Sequence, residues 1–227
     1  MIKRLHMLGV VLVVIGVAFA AAGAYAFMKT QEGYASLQAF SAAQNVQLNY
    51  NEDGQLIDRG EVAGAEAIMA LLTDDWGYTV AASEFDPNDP VVNTASEYMY
   101  QMATVAYHTL NSTQTVILTE DVEYNGEVIL AGEYQVPVDG RYFAEFDRQH
   151  PLDGPARAQA WSALAHGLIA ELGVGTTTAS ALQLGLALAG LTAGLGGTLV
   201  LTGAGLVWAT RVEKEPVPVL KPARLPA

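Results

Sequence analysis

MLGVVLVVIGVAFAAAGAYAFM, residues Met7 to Met28, carries no charged side chain. As a helix these 22 residues span about 33 Å, close to the hydrocarbon thickness of a bilayer. A basic start, Lys3-Arg4, and a small-residue triplet, Ala24-Tyr25-Ala26, also fit a cleaved signal peptide. The apolar run, however, exceeds the roughly 7–15 residues of a signal core, so a retained membrane helix is expected. A second such segment, LQLGLALAGLTAGLGGTLVLTGAGLVWA, runs from Leu182 to Ala209, and no ionisable side chain lies between Glu171 and Arg211. A soluble core helix of this length would show a polar face, whereas here the polar side chains are a few Thr and Gln183. The spacing therefore predicts two transmembrane helices, 7–28 and 182–209, flanking a domain over 29–181. Short tails occupy 1–6 and 210–227.

Charge is segregated in step with hydropathy. Of 227 residues, 51% are hydrophobic, yet the net charge is −13. Residues 29–181 hold 22 of the 24 acids and 5 of the 11 basic residues, a net −17. The tails hold 6 basic and 2 acidic residues, a net +4. Basic residues next to spans stay cytoplasmic, which predicts both termini inside a plasma membrane and the acidic domain outside it. Trp208 at one interface, and Tyr25, Phe27 and Tyr34 at the other, fit an aromatic belt. A domain of this charge repels nucleic acid phosphates, so no nucleic acid partner is expected. The chain has no cysteine, which excludes disulfides, thiol nucleophiles and thiolate metal sites.

The central domain reads as mixed α/β with a small, mainly antiparallel sheet, an α+β class overall. The first helix should continue outward to about Ala43. Asn51-Glu52-Asp53-Gly54 reads as a turn, and Glu61–Asp75 as a helix. Thr94 with Glu97 forms a capping box opening a helix to about Asn111. TQTVILTEDVEY is β-branched and meets Asn125-Gly126, the strongest short hairpin signal. EVILAG and EYQVPV follow, with Pro137 marking a strand end or edge. Pro155 opens a helix expected to run to about Leu172. Gly173 and Gly175 are expected to break it, with Thr176–Ser180 as a polar hinge. The tail EKEPVPVLKPARLPA is proline-rich and reads as extended.

Several segments resemble a family of uncharacterised actinobacterial two-pass membrane proteins, many labelled aromatic-ring-opening dioxygenases. The residues that carry the likeness are Tyr107-His108, Asn125-Gly126, Gly132-Glu133-Tyr134, Arg141-Tyr142-Phe143 and the run Ala160 to Gly175. The resemblance implies a basic N-terminus, two spans and a polar loop between them. It implies no catalytic residue. Non-haem iron needs clustered His and carboxylate ligands, and that spacing is absent from the sequence.

Chemistry-bearing residues are sparse. Gly9, Gly16 and Gly23 lie seven apart on one face of the first span, and Gly190, Gly194 and Gly197 mark the second. Small residues let helices approach closely in lipid, either span against span or span against a partner protein. The weak metal candidates are Asp86 and Asp89 in a turn-rich loop, and His108 and His166 on separate helices. Calcium requires about six to eight oxygens, and none of the acid clusters alternates as a calcium loop does. No nucleophile elbow, phosphate loop or zinc-protease motif occurs, and no cofactor is expected.

The expectation is a non-enzymatic accessory protein of the membrane, a small subunit of a larger envelope or respiratory complex, docked through its small-residue faces. The alternative is an outer sensor or binding module for a cation, lipid or cell-wall ligand. A cleft between the sheet and the 155–172 helix would favour the alternative. An enzyme would need His108 or His166 within hydrogen-bond reach of a carboxylate in a cleft.

Overall fold

The computed structural model describes residues 2–212, and the proline-rich tail expected over 210–227 lies largely outside them. The architecture is α+β, with two long apolar helices and a small antiparallel β component. The chain divides into two compact units. One comprises the described residues of 1–33 and 182–227, the other residues 34–181.

Helix α1 runs Ile2–Gln44 and α5 runs Ala163–Val212. Both are long and apolar enough to cross a membrane. Only 17% of the most apolar window of α1, and 11% of that of α5, is buried by the rest of the protein. A soluble core helix would be mostly covered. Large side chains such as Val14, Leu191, Leu201 and Trp208 are exposed along the two helices.

The expected break after Leu172 does not occur. Helix α5 runs unbroken through Gly173, Gly175 and Thr176–Ser180. Two local features hold it. Thr176 Oγ1 donates to Leu172 O and Thr177 Oγ1 to Gly173 O, so these hydroxyls satisfy themselves on the helix rather than unwinding it. Gly175 is a packing position: a Cβ there would lie 2.5 Å from the Tyr98 ring. The expected 155–172 helix is instead divided. α4, Asp153–Ala160, stops at Trp161, whose ψ of 55° leaves the helical region, and α5 starts afresh at Ala163.

In the unit of residues 34–181, α2 (Val62–Ala70) passes into a π-helical turn over Leu71–Asp75. Trp76 N donates to Leu71 O at 3.0 Å, the i→i−5 bond of such a turn. Helix α3, Ala95–Leu110, starts at the expected capping box and ends at Asn111. Strands β1 (Thr113–Leu118), β2 (Val122–Tyr124), β3 (Glu127–Ile129) and β4 (Gly132–Pro137) pair antiparallel as β1–β4 and β2–β3. They form a single long ribbon rather than a broader sheet. Leu118 faces Gly132 and Val122 faces Ile129, so three residues on one arm oppose two on the other. That extra residue bends the ribbon as a bulge does, and Asp121 Oδ1 accepts from Ala131 N there. The tip has Asn125 at φ 52° and Gly126 at φ 84°, the left-handed pair that a two-residue hairpin demands.

One face of the β1–β4 pair turns toward the core. Val116 and Val138 pack with Leu71, Ala106, Leu110, Phe146 and Trp161 in a single core. The other face is exposed, with Thr115 opposite Gln135 and hydrogen-bonded to it, and the apolar Ile117 opposite Glu133. Alternation along β1 is what fixes this choice of face.

Candidate functional site

The six glycines separate into two groups. Cβ atoms added at Gly9, Gly16 and Gly23 would lie 2.8 Å from Gly203 O, 2.7 Å from Gly196 O and 2.6 Å from Ala193 N. This stripe is filled by the backbone of α5. Reciprocally, Gly196 meets Ala20 and Gly203 meets Gly9 and Val13. The seam ends at His6, whose Nδ1 lies 3.0 Å from Thr210 Oγ1. Thr210 Oγ1 also lies within hydrogen-bond distance of the backbone carbonyls of Leu206 and Val207. Gly190, Gly194 and Gly197 are different: among the described residues nothing lies within 4 Å of a Cβ at any of them. The sequence pattern could not separate the groups because both have helical spacing.

The metal candidates do not converge. Asp86 Oδ1 accepts from the backbone and side chain of Asn88, and Asp89 Oδ2 from Asn93 Nδ2. These carboxylates hold a turn closed. His108 and His166 line two different clefts. Among the described residues no three His, Asp or Glu side chains gather as a metal site.

His108 has the carboxylate partner that the sequence did not reveal. Its Nε2 lies 2.8 Å from Asp58 Oδ1, fifty residues away. Asp58 sits in a tight reversal in which it pairs with Glu61 across Arg59 and Gly60. Arg59 has φ 51°, a left-handed conformation unusual for a long side chain. The pair opens on a cleft of about 570 Å³ also lined by Tyr107, Asn111 and Ser112. His108 thus meets the geometric requirement for acid–base chemistry. The hydroxyl beside it, Ser112 Oγ, donates to Thr109 O and accepts from Gln114 Nε2. Nearby, burial raises the Tyr100 phenol, with Asp58 and Tyr50 adding to the effect. Burial likewise pushes Tyr50 up to about 12, aided by Glu97 and Asp86. Neither buried hydroxyl has a protein partner. Both phenols therefore stay neutral across the physiological range.

His166 takes part in a separate aromatic cleft of about 490 Å³. Trp76, Tyr142, Phe143, Trp161 and His166 line it, with Met102, Ala106 and Ile169 below. The ring centroid of Trp161 lies 5.8 Å from that of Tyr142, stacked, and 5.9 Å from that of His166. The π turn delivers Trp76, and the break between α4 and α5 delivers Trp161. Neither device has a sequence signature that marks it before folding. The cleft opens between α3, the 141–144 loop and α5, rather than between the ribbon and a 155–172 helix.

No protein-family model matches the chain, and no curated protein or solved structure matches it.

Proposed function

We propose that the chain is a two-pass membrane protein acting as an accessory subunit, docked to a partner membrane protein through the open glycine face of α5. The observation that carries this reading is the division of the glycines. Gly9, Gly16 and Gly23 are consumed by the chain's own seam, while Gly190, Gly194 and Gly197 are open beside exposed Leu191 and Leu195. In lipid, apolar side chains gain nothing by leaving the tails, and close backbone approach supplies the attraction. Charge supports the orientation, with the net +4 tails cytoplasmic and the −17 domain outside a plasma membrane.

Two experiments test the parts separately. Because the chain has no cysteine, single cysteines report topology cleanly. Glu123→Cys should react with a membrane-impermeant maleimide on intact cells, and Lys214→Cys only after permeabilisation; the reverse pattern overturns the orientation. For docking, the wild-type chain purified from native membranes in mild detergent should carry a reproducible partner. Gly190→Leu/Gly194→Leu should lose that partner at unchanged expression. A monomeric wild type with no co-eluting protein would refute the accessory reading.

A further inference from the structure

We propose that the aromatic cleft of the 34–181 unit binds a flat, uncharged aromatic ring bearing a hydroxyl group. This goes beyond the accessory role and does not depend on it.

The walls dictate the class of ligand. Rings make up most of the lining, and Trp161, the floor, is only 7% exposed. Both indole N–H groups that could have sought a ligand are committed: Trp76 Nε1 donates to Tyr142 Oη at 2.8 Å, and Trp161 Nε1 to the carbonyl of Arg141 at 3.1 Å. Trp161 is buried beneath Tyr142, so the ring surface on offer is that of Trp76, Tyr142 and Phe143, which favours stacking with another flat ring. Two polar functions remain. Tyr142 Oη accepts from Trp76 and keeps its own proton to donate. His166 Nδ1 lies 3.1 Å from Ser162 O, and a carbonyl can only accept, so Nδ1 carries the proton. In the neutral ring that leaves Nε2 as an acceptor. The cleft thus presents one donor, at Tyr142, and one acceptor, at His166, the two functions that a hydroxyl complements.

Two competing classes fit less well. A quaternary ammonium would use the same rings through cation–π contact, but cations already occupy that region. The Arg157 guanidinium lies 4.3 Å from the Phe143 ring centroid and that of Arg148 5.7 Å from it, while Arg141 covers Phe146 at 4.1 Å. A further positive charge would be repelled. A sugar would stack on the rings but bring several hydroxyls to a cleft with two polar functions, leaving the remainder unpaired. The volume of about 490 Å³ falls in the ordinary range of small-ligand sites.

The test uses the full chain in nanodiscs, with 2-naphthol as the probe. Titration should give a saturable component above the linear uptake of the lipid. Naphthalene, which lacks the hydroxyl, should bind about tenfold more weakly, the loss expected when a hydrogen-bonding site goes unpaired. Choline and glucose should show no saturable binding. His166→Phe keeps a ring at an exposed position and removes the acceptor. It should weaken 2-naphthol about tenfold while leaving naphthalene unchanged. Absence of saturable 2-naphthol binding, equal affinity for naphthalene, or preference for choline would each overturn the proposal on the wild-type chain alone, without relying on any variant to fold.

Discussion

Gly16→Leu should destabilise the seam between α1 and α5 by several kcal/mol, while Gly194→Leu leaves the isolated chain's stability unchanged. At Gly16 a Cβ would lie 2.7 Å from both Gly196 O and Val200 N. These are backbone atoms and cannot turn aside. The helices must separate, and every close contact along the seam weakens together. Overpacking in a dense interior costs roughly 1–3 kcal/mol and more when backbone must move, and leucine adds three further carbons. At Gly194 an added Cβ has nothing within 4 Å, so the expected change is within about 0.5 kcal/mol. Unfolding of the purified chain in mixed micelles titrated with SDS measures both. Equal losses at the two positions would mean that the α5 face is not open in the isolated protein. This contrast also clarifies the docking test, because a partner lost from Gly190→Leu/Gly194→Leu could not then be blamed on a collapsed chain.

Local chemistry accounts for most of what the sequence reveals. Asn125-Gly126 reads as a hairpin because both residues tolerate positive φ, and the turn forms there. Thr94 and Glu97 read as a capping box because the two satisfy each other within four residues. What stays hidden is non-local. Asp58 is brought to His108 only by the fold. Trp76, Tyr142 and Trp161 are far apart in sequence, and their meeting depends on a π turn and on a helix break that has no glycine or proline at Trp161. Conversely, Gly173 and Gly175 look like breakers by propensity. Tertiary packing overrides that preference where Tyr98 needs a bare backbone to lie against. Glycine thus served three purposes in one chain, as turn, seam and ring platform, and spacing alone distinguishes none of them.

Glu97→Ala should destabilise the 34–181 unit by about 3 kcal/mol or more. Glu97 is 2% exposed. Its Oε2 accepts from Asn93 N at 3.0 Å, Thr94 N at 2.9 Å and Thr94 Oγ1 at 2.9 Å. Removing it strands two backbone donors at the start of α3 and leaves a void beneath them. Glu97→Gln keeps an acceptor and nearly the same volume, so its loss should be near 1 kcal/mol. The comparison also has a pH signature. Burial raises the Glu97 carboxyl above its ordinary value despite the hydrogen bonds that lower it. A raised acid favours the folded state fully below its unfolded pKa, and that advantage is lost as pH rises through the folded value. The stability of wild type relative to Glu97→Gln should therefore decline from about pH 4 upward and then level off. Thermal unfolding of both full chains, read by circular dichroism across that range, measures the difference. A wild-type advantage that grows with pH instead would show that the three hydrogen bonds, not burial, govern this carboxylate.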